Sequence, residues 1–143
     1  MRIITFGTYD LFHIGHLNIL KNCKYYGDSE NTLIVGVSSD ELNYSKKQKN
    51  TAIPLIHRME IIKAIKYVDE VFVEHSLEEK LKYCIEHKAD LLIMGSDHID
   101  RFDFLKNHKV DVLYLPRTEE ISTTEIKEGI INNEKNNIKL IND

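Results

Sequence analysis

The stretch FGTYDLFHIGHLNIL, Phe6 to Leu20, collects Gly7, Thr8, Asp10, His13, Gly15 and His16 where a strand-like apolar run gives way to helical spacing. His13 and His16 fall on one side of a turn entering a helix, so two imidazole donors face the same ligand, and Gly15 lets that ligand approach the backbone. Zinc is the competing chemistry for such a pair. The spacing is not the i, i+4 of a helical zinc protease, no glutamate stands between the histidines, and no third ligand is evident. Two further groups stand just after apolar runs: Gly95, Ser96, Asp97 and His98 follow LLIM, and Arg117, Thr118, Ser122 and Thr123 follow VLYLP. Imidazoles, a guanidinium, hydroxyls and the amides of helix N-termini together suit phosphate oxygens, and a polyphosphate is the natural ligand.

Those groups need a scaffold that brings strand ends to one rim. Arg2–Thr8, TLIVGVSS, DEVFVE, ADLLIMG and VDVLYLP each read as a short buried strand, continuous in apolar residues instead of alternating. Between them, Leu17, Leu20 and Cys23 recur at helical spacing before Gly27. An apolar stripe from Leu55 predicts a helix to Tyr67 behind Pro54, and SLEEKLKYCIEHK predicts another, capped by Ser76 with Glu79. STTEIKEGIINN predicts a last helix with Ser122 and Glu125 in capping-box spacing, and the asparagine-rich end beyond Glu134 reads as a frayed helix or loose tail. NYSKKQKNTA, with Lys46, Lys47 and Lys49 and no acid, reads as a basic loop in which Lys47 is an ordinary solvated residue. Strands separated by helix-length crossovers imply an α/β fold, a Rossmann-like doubly wound five-stranded parallel sheet with helices on both faces. Ligands of such sheets bind beyond the carboxyl ends of the strands, where the strand order reverses.

The chain's 143 residues suit one domain, expected over 1–133 with 134–143 as a C-terminal tail. A net charge of −4 disfavours a general nucleic-acid or anionic-membrane binder. No apolar run is long enough for a membrane span and the N-terminus enters a strand directly, so a soluble, cytoplasmic protein is expected. Cys23 and Cys84 are far apart in sequence and read as buried helix residues.

GTYDLFHIGH, HRMEIIKAIKYVDEV, MGSDHIDRFDFLK and LPRTEEISTTEIK together resemble the small cytidylyltransferases, those acting on glycerol 3-phosphate in particular, over nearly the whole chain to about Glu128. The resemblance implies transfer of CMP from CTP to sn-glycerol 3-phosphate, with release of pyrophosphate and Mg²⁺ accompanying the triphosphate. It implies a homodimer and a role in making an activated glycerol phosphate for a teichoic acid or capsule. His13, His16, Lys46 and Arg117 would be the catalytic residues. Gly7, Thr8, Tyr9, Asp10, Gly15, Asp97, Thr118, Ser122 and Thr123 would bind nucleotide, Asp97 near the cytosine and ribose. Arg58 and Lys66 would bind the acceptor phosphate. Three positions depart from the family pattern: Lys66 stands for an arginine, Glu120 for a glycine and His98 for a tryptophan. Another phosphorylated alcohol or sugar as acceptor, ATP as donor, and a nucleotide-binding module without turnover are the alternatives.

Overall fold

The computed structural model describes residues 1–116 and 122–142, the stretch 137–142 by backbone alone. Five strands, β1 (Arg2–Gly7), β2 (Thr32–Ser38), β3 (Glu70–Glu74), β4 (Leu91–Gly95) and β5 (Asp111–Leu115), form one parallel sheet in the order β3-β2-β1-β4-β5. The order reverses between β1 and β4, so the crevice for a ligand lies beyond Gly7 and Gly95.

The strands read as unbroken apolar runs because both faces are covered. Ile3, Leu33, Val35 and Ile93 pack with Leu20 and Cys23 of α1 (Ile14–Lys24) and Ile62 of α3 (Leu55–Ala64). On the other face Ile4, Ile34, Leu92 and Met94 pack with Tyr83 and Cys84 of α4 (Lys80–Glu86) and with Leu105. Burial raises both thiols, Cys23 to about 12 and Cys84 to about 11, and leaves them as unreactive core residues.

Several elements differ from the expectation. The presumed basic loop begins as a helix, α2 (Asp40–Lys47), with Ser39 Oγ accepting from the Leu42 amide at 3.1 Å. Its acids lie in the first turn and its lysines in the last, complementing the helix dipole. Only Leu42 and Asn43 are buried, so there is no apolar stripe to signal it. Helix α3 stops at Ala64 because Ile65 turns extended to enter β3. Ser76 does not cap α4: its hydroxyl accepts from the Glu78 amide in a local turn, and the helix starts at Lys80. Helix α5 runs from Thr123 through Asn142, so of the frayed helix or loose tail expected beyond Glu134 the helix is the one present.

Candidate active site

The histidine turn is held by its own imidazoles. His13 is the N-cap of α1, and its Nδ1 accepts from the Gly15 amide at 3.0 Å; the His13 amide in turn donates to His16 Nδ1 at 3.2 Å. The rings stack with centroids 3.8 Å apart. Because both Nδ1 atoms accept, this network assigns the ring proton of each neutral imidazole to Nε2, the atom that can donate to a ligand. The Gly15 amide is spent inside the cap. Burial, followed by the nearby His13 and Lys47, pushes His16 down to about 4, against a weaker upward pull from Asp10. In the ligand-free protein His16 is therefore a neutral donor at pH 7.

Tyr9 supports this pair from below. It adopts φ +55° and buries its ring in the core, edge-on to His16 at 5.4 Å between centroids. A Cβ at Gly7 would lie 2.8 Å from the Tyr9 ring, so the glycine is there to admit that ring. Tyr9, expected among the nucleotide-binding residues, has its ring packed in the core.

Asp10 is buried and acts as a clamp. Its oxygens accept from the Ala52 and Ile53 amides at 2.8 and 2.9 Å and lie 3.3 Å from Lys127 Nζ, while its carbonyl accepts from Thr123 Oγ1 at 2.7 Å. Burial alone would raise this carboxyl, but the amide bonds and Lys127 outweigh it and hold it below the usual range. The histidine turn, the segment before α3 and the start of α5 are thereby joined through one residue.

His13, Gly15, His16, Lys47, Gly95, Asp97, Ser122, Thr123 and Thr124 line a cleft of about 300 Å³ at the β1/β4 switch point. The cleft thus joins the histidine turn, Asp97 and the start of α5. Ser122 Oγ also accepts from the Glu125 amide at 3.1 Å, capping α5. Lys47, read from sequence as merely solvated, lines this cleft, whereas the Lys46 ammonium turns to Ser38 Oγ at 3.0 Å. Thr8 Oγ1 donates to Asn43 Oδ1 at 3.0 Å and ties β1 to α2. Arg117 and Thr118 lie outside the described residues.

The two residues expected at the acceptor phosphate are placed otherwise. Arg58 is 1% exposed, donating through Nε to Ile53 O, through Nη1 to Thr8 O and Ser38 O, and through Nη2 to Asp40 Oδ1, at 2.6–2.9 Å. With four of a guanidinium's five N–H groups engaged, no fork remains for a phosphate. Arg58 is a strut beneath the rim. Lys66 lies between α3 and the start of β3, at the amino end of the sheet and away from the rim, its ammonium 5.2 Å from the Tyr67 ring centroid.

A buried group was missed. Glu74, the last residue of β3, and Lys80, the first of α4, form an ion pair with side chains 1% and 3% exposed. The Lys80 ammonium also lies 4.0 Å from the Phe6 ring centroid and 5.3 Å from that of Phe102. Among the described residues the buried His98 Nδ1 has no hydrogen-bond partner, and Lys80 and Lys46 are among the cations that depress its ring below the usual histidine range, after burial and Arg101. EHSLEEK carries no motif; only a glutamate ending an otherwise apolar strand could have drawn attention to it.

A doubly wound sheet with paired imidazoles at its switch point and two helix starts on one cleft is the architecture of a nucleotide-binding α/β protein. Comparison with known proteins narrows the class. The cytidylyltransferase-like family model matches residues 4–129, and the chain belongs to that family. It is 46% identical over 129 residues to the glycerol-3-phosphate cytidylyltransferase of Bacillus subtilis (strain 168), covering 90% of this chain and 96% of that one. Identity to the enzyme of the same name from Staphylococcus aureus (strain NCTC 8325 / PS 47) is 41%, over 90% of this chain and 94% of the other. Among solved structures, a lipopolysaccharide core biosynthesis protein from Thermoplasma volcanium GSS1 superposes with a TM-score of 0.69 at 25% identity, over 85% of this chain and 98% of that chain.

Proposed function

We propose that the protein transfers CMP from CTP to sn-glycerol 3-phosphate, giving CDP-glycerol and pyrophosphate. The observation that carries this reading is the cleft at the β1/β4 switch point, lined by His13 and His16 and by the start of α5, in a chain of this family. A phosphate oxygen of the acceptor attacks the α-phosphorus of CTP in line, its bond to the bridging oxygen breaks, and pyrophosphate leaves with that electron pair. No protein nucleophile is needed, so catalysis consists of aligning two anions and stabilising the charge that develops. His13 and His16 donate from Nε2 to the triphosphate, and the approach of that anion raises the tendency of His16 to take a proton. Lys47 adds positive charge along the same wall, and Arg117 and Thr118 complete the nucleotide side. Asp97 accepts from the exocyclic amine of cytosine, a group uracil lacks.

The acceptor phosphate lies on the β2–β3 side, where Lys46 and Lys80 supply the charge first expected from Arg58 and Lys66. Among the described residues no three His, Cys, Asp or Glu side chains converge on a metal position. Mg²⁺ would come with CTP, held mainly through phosphate oxygens and water, and would supply charge neutralisation at the triphosphate. The transferase domain is residues 1–133. Exposed Ile56 and Ile61 on α3 provide apolar surface for a homodimer. Among the described residues no helix is long and apolar enough to cross a membrane. CTP as donor favours a cytoplasmic reaction.

The test is pyrophosphate release with glycerol 3-phosphate and either CTP or ATP, beside His16→Ala. CTP-dependent turnover that falls at least about 100-fold in the variant is expected. ATP preference, or unchanged turnover in the variant, overturns the assignment.

A further inference from the structure

Burying an ion pair at the end of an edge strand needs a reason, because desolvation of two charges offsets most of their attraction and an apolar pair would pack as well. Glu74 and Lys80 stand at the carboxyl rim, where the reaction is placed, and are not deep in the core. The carboxylate divides its oxygens: Oε2 meets the Lys80 ammonium, and Oε1 accepts from Ser38 Oγ at 3.2 Å, whose oxygen accepts from Lys46 Nζ at 3.0 Å. Glu74 and Ser38 are fully buried. A buried link therefore runs from one lysine to the other through a single negative charge.

We propose that Glu74 is a positioning residue of the acceptor site, holding Lys80 directly and Lys46 through Ser38 so that one buried carboxylate sets the spacing of two ammonium groups that receive the acceptor phosphate. The proposal rests on the functional reading above and deepens it. Two observations point to a ligand here. Among the described residues the Lys80 ammonium has one hydrogen-bond acceptor, Glu74, for its three N–H groups, and it lies 4.0 and 5.3 Å from the Phe6 and Phe102 ring centroids. His98 Nδ1, in the field of both lysines, is a buried polar atom without a hydrogen-bond partner among the described residues. Donors in excess of acceptors beside a polar atom left unmet fit a phosphate ester that carries hydroxyls. Burial pushes both ammonium groups below the usual lysine value, and the Glu74 carboxylate opposes that shift in each.

Glu74→Gln keeps the shape and removes the charge. The expected result is a rise of about tenfold or more in KM for glycerol 3-phosphate, with KM for CTP changed less than about twofold, and Glu74→Asp recovering part of the loss. Ser38→Ala, which breaks the link to Lys46 alone, raises the acceptor KM about threefold to tenfold. In Lys46→Ala background it adds nothing further, since the two act as one unit. Should Glu74→Gln fail to fold, the Ser38 and Lys46 cycle carries the test. A lower melting temperature with unchanged acceptor KM, or additive Ser38 and Lys46 effects, makes Glu74 a structural residue and overturns the proposal alone. Wild-type protein that forms no CDP-glycerol overturns the functional reading together with it.

Discussion

Asp10→Asn isolates the clamp that joins the histidine turn to its surroundings. The carboxylate accepts from two backbone amides, at 2.8 and 2.9 Å, and asparagine can present an oxygen to one of them only, turning an N–H toward the other. A lost charge-assisted hydrogen bond to a buried amide costs about 1.5–3 kcal/mol, and the half-exposed Lys127 pair adds at most about 1 kcal/mol. The sum is about 2–4 kcal/mol, which at about 3–4 °C per kcal/mol for a chain of this size lowers the melting temperature by roughly 10 °C. The substitution is isosteric, so no cavity contributes. Turnover, assayed well below that transition, falls at least about tenfold because His13 and His16 no longer sit on a fixed turn. The folded carboxyl titrates below its ordinary 3.8. Its stabilisation is therefore present above about pH 4 and lost as pH falls through the folded value, so wild type and variant converge in stability only in acid. A melting temperature within about 2 °C of wild type at pH 7, with kcat within twofold, refutes the clamp.

Arg58→Ala strands Thr8 O, Ser38 O and Ile53 O and removes the partner of Asp40; about 3–5 kcal/mol of stability should be lost in denaturant unfolding, whereas a raised acceptor KM at unchanged stability would return Arg58 to the substrate. Gly7→Ala drives a methyl against the Tyr9 ring, so a cost of about 1–3 kcal/mol and a loss of turnover out of proportion to it are expected, read by melting and initial rates. NMR titration of the ligand-free protein should give His16 a midpoint of about 4, against an ordinary 6.5. The unfolded chain then binds the extra proton between those values, so stability falls as pH drops from 6.5 toward 4. A midpoint at or above 6.5 contradicts the burial of that ring.

The sheet was legible because parallel strands covered on both faces must be continuous apolar runs, and Leu33–Val37 and Leu91–Met94 are such runs. The histidine turn was legible because its residue types are adjacent in sequence. What escaped depends on contacts far apart in the chain. Helix α2 has too few buried residues to show a period, and which of Lys46 and Lys47 faces the cleft depends on its register. Arg58 was expected at the acceptor phosphate because nothing local reveals that Thr8, Ser38 and Ile53 turn their carbonyls toward it. The Glu74, Ser38 and Lys80 group is assembled from the ends of two strands and the start of a helix, a pattern without local spacing.

The central claim is that the triphosphate lodges where the sheet order reverses, over the imidazole pair. A crystal structure with CTP bound tests it most directly. The account predicts the α-phosphate beyond the ends of β1 and β4, within hydrogen-bond reach of His13 and His16 Nε2, with the cytosine toward Asp97. CTP bound at another surface, with both imidazoles remote from any phosphate oxygen, would contradict it.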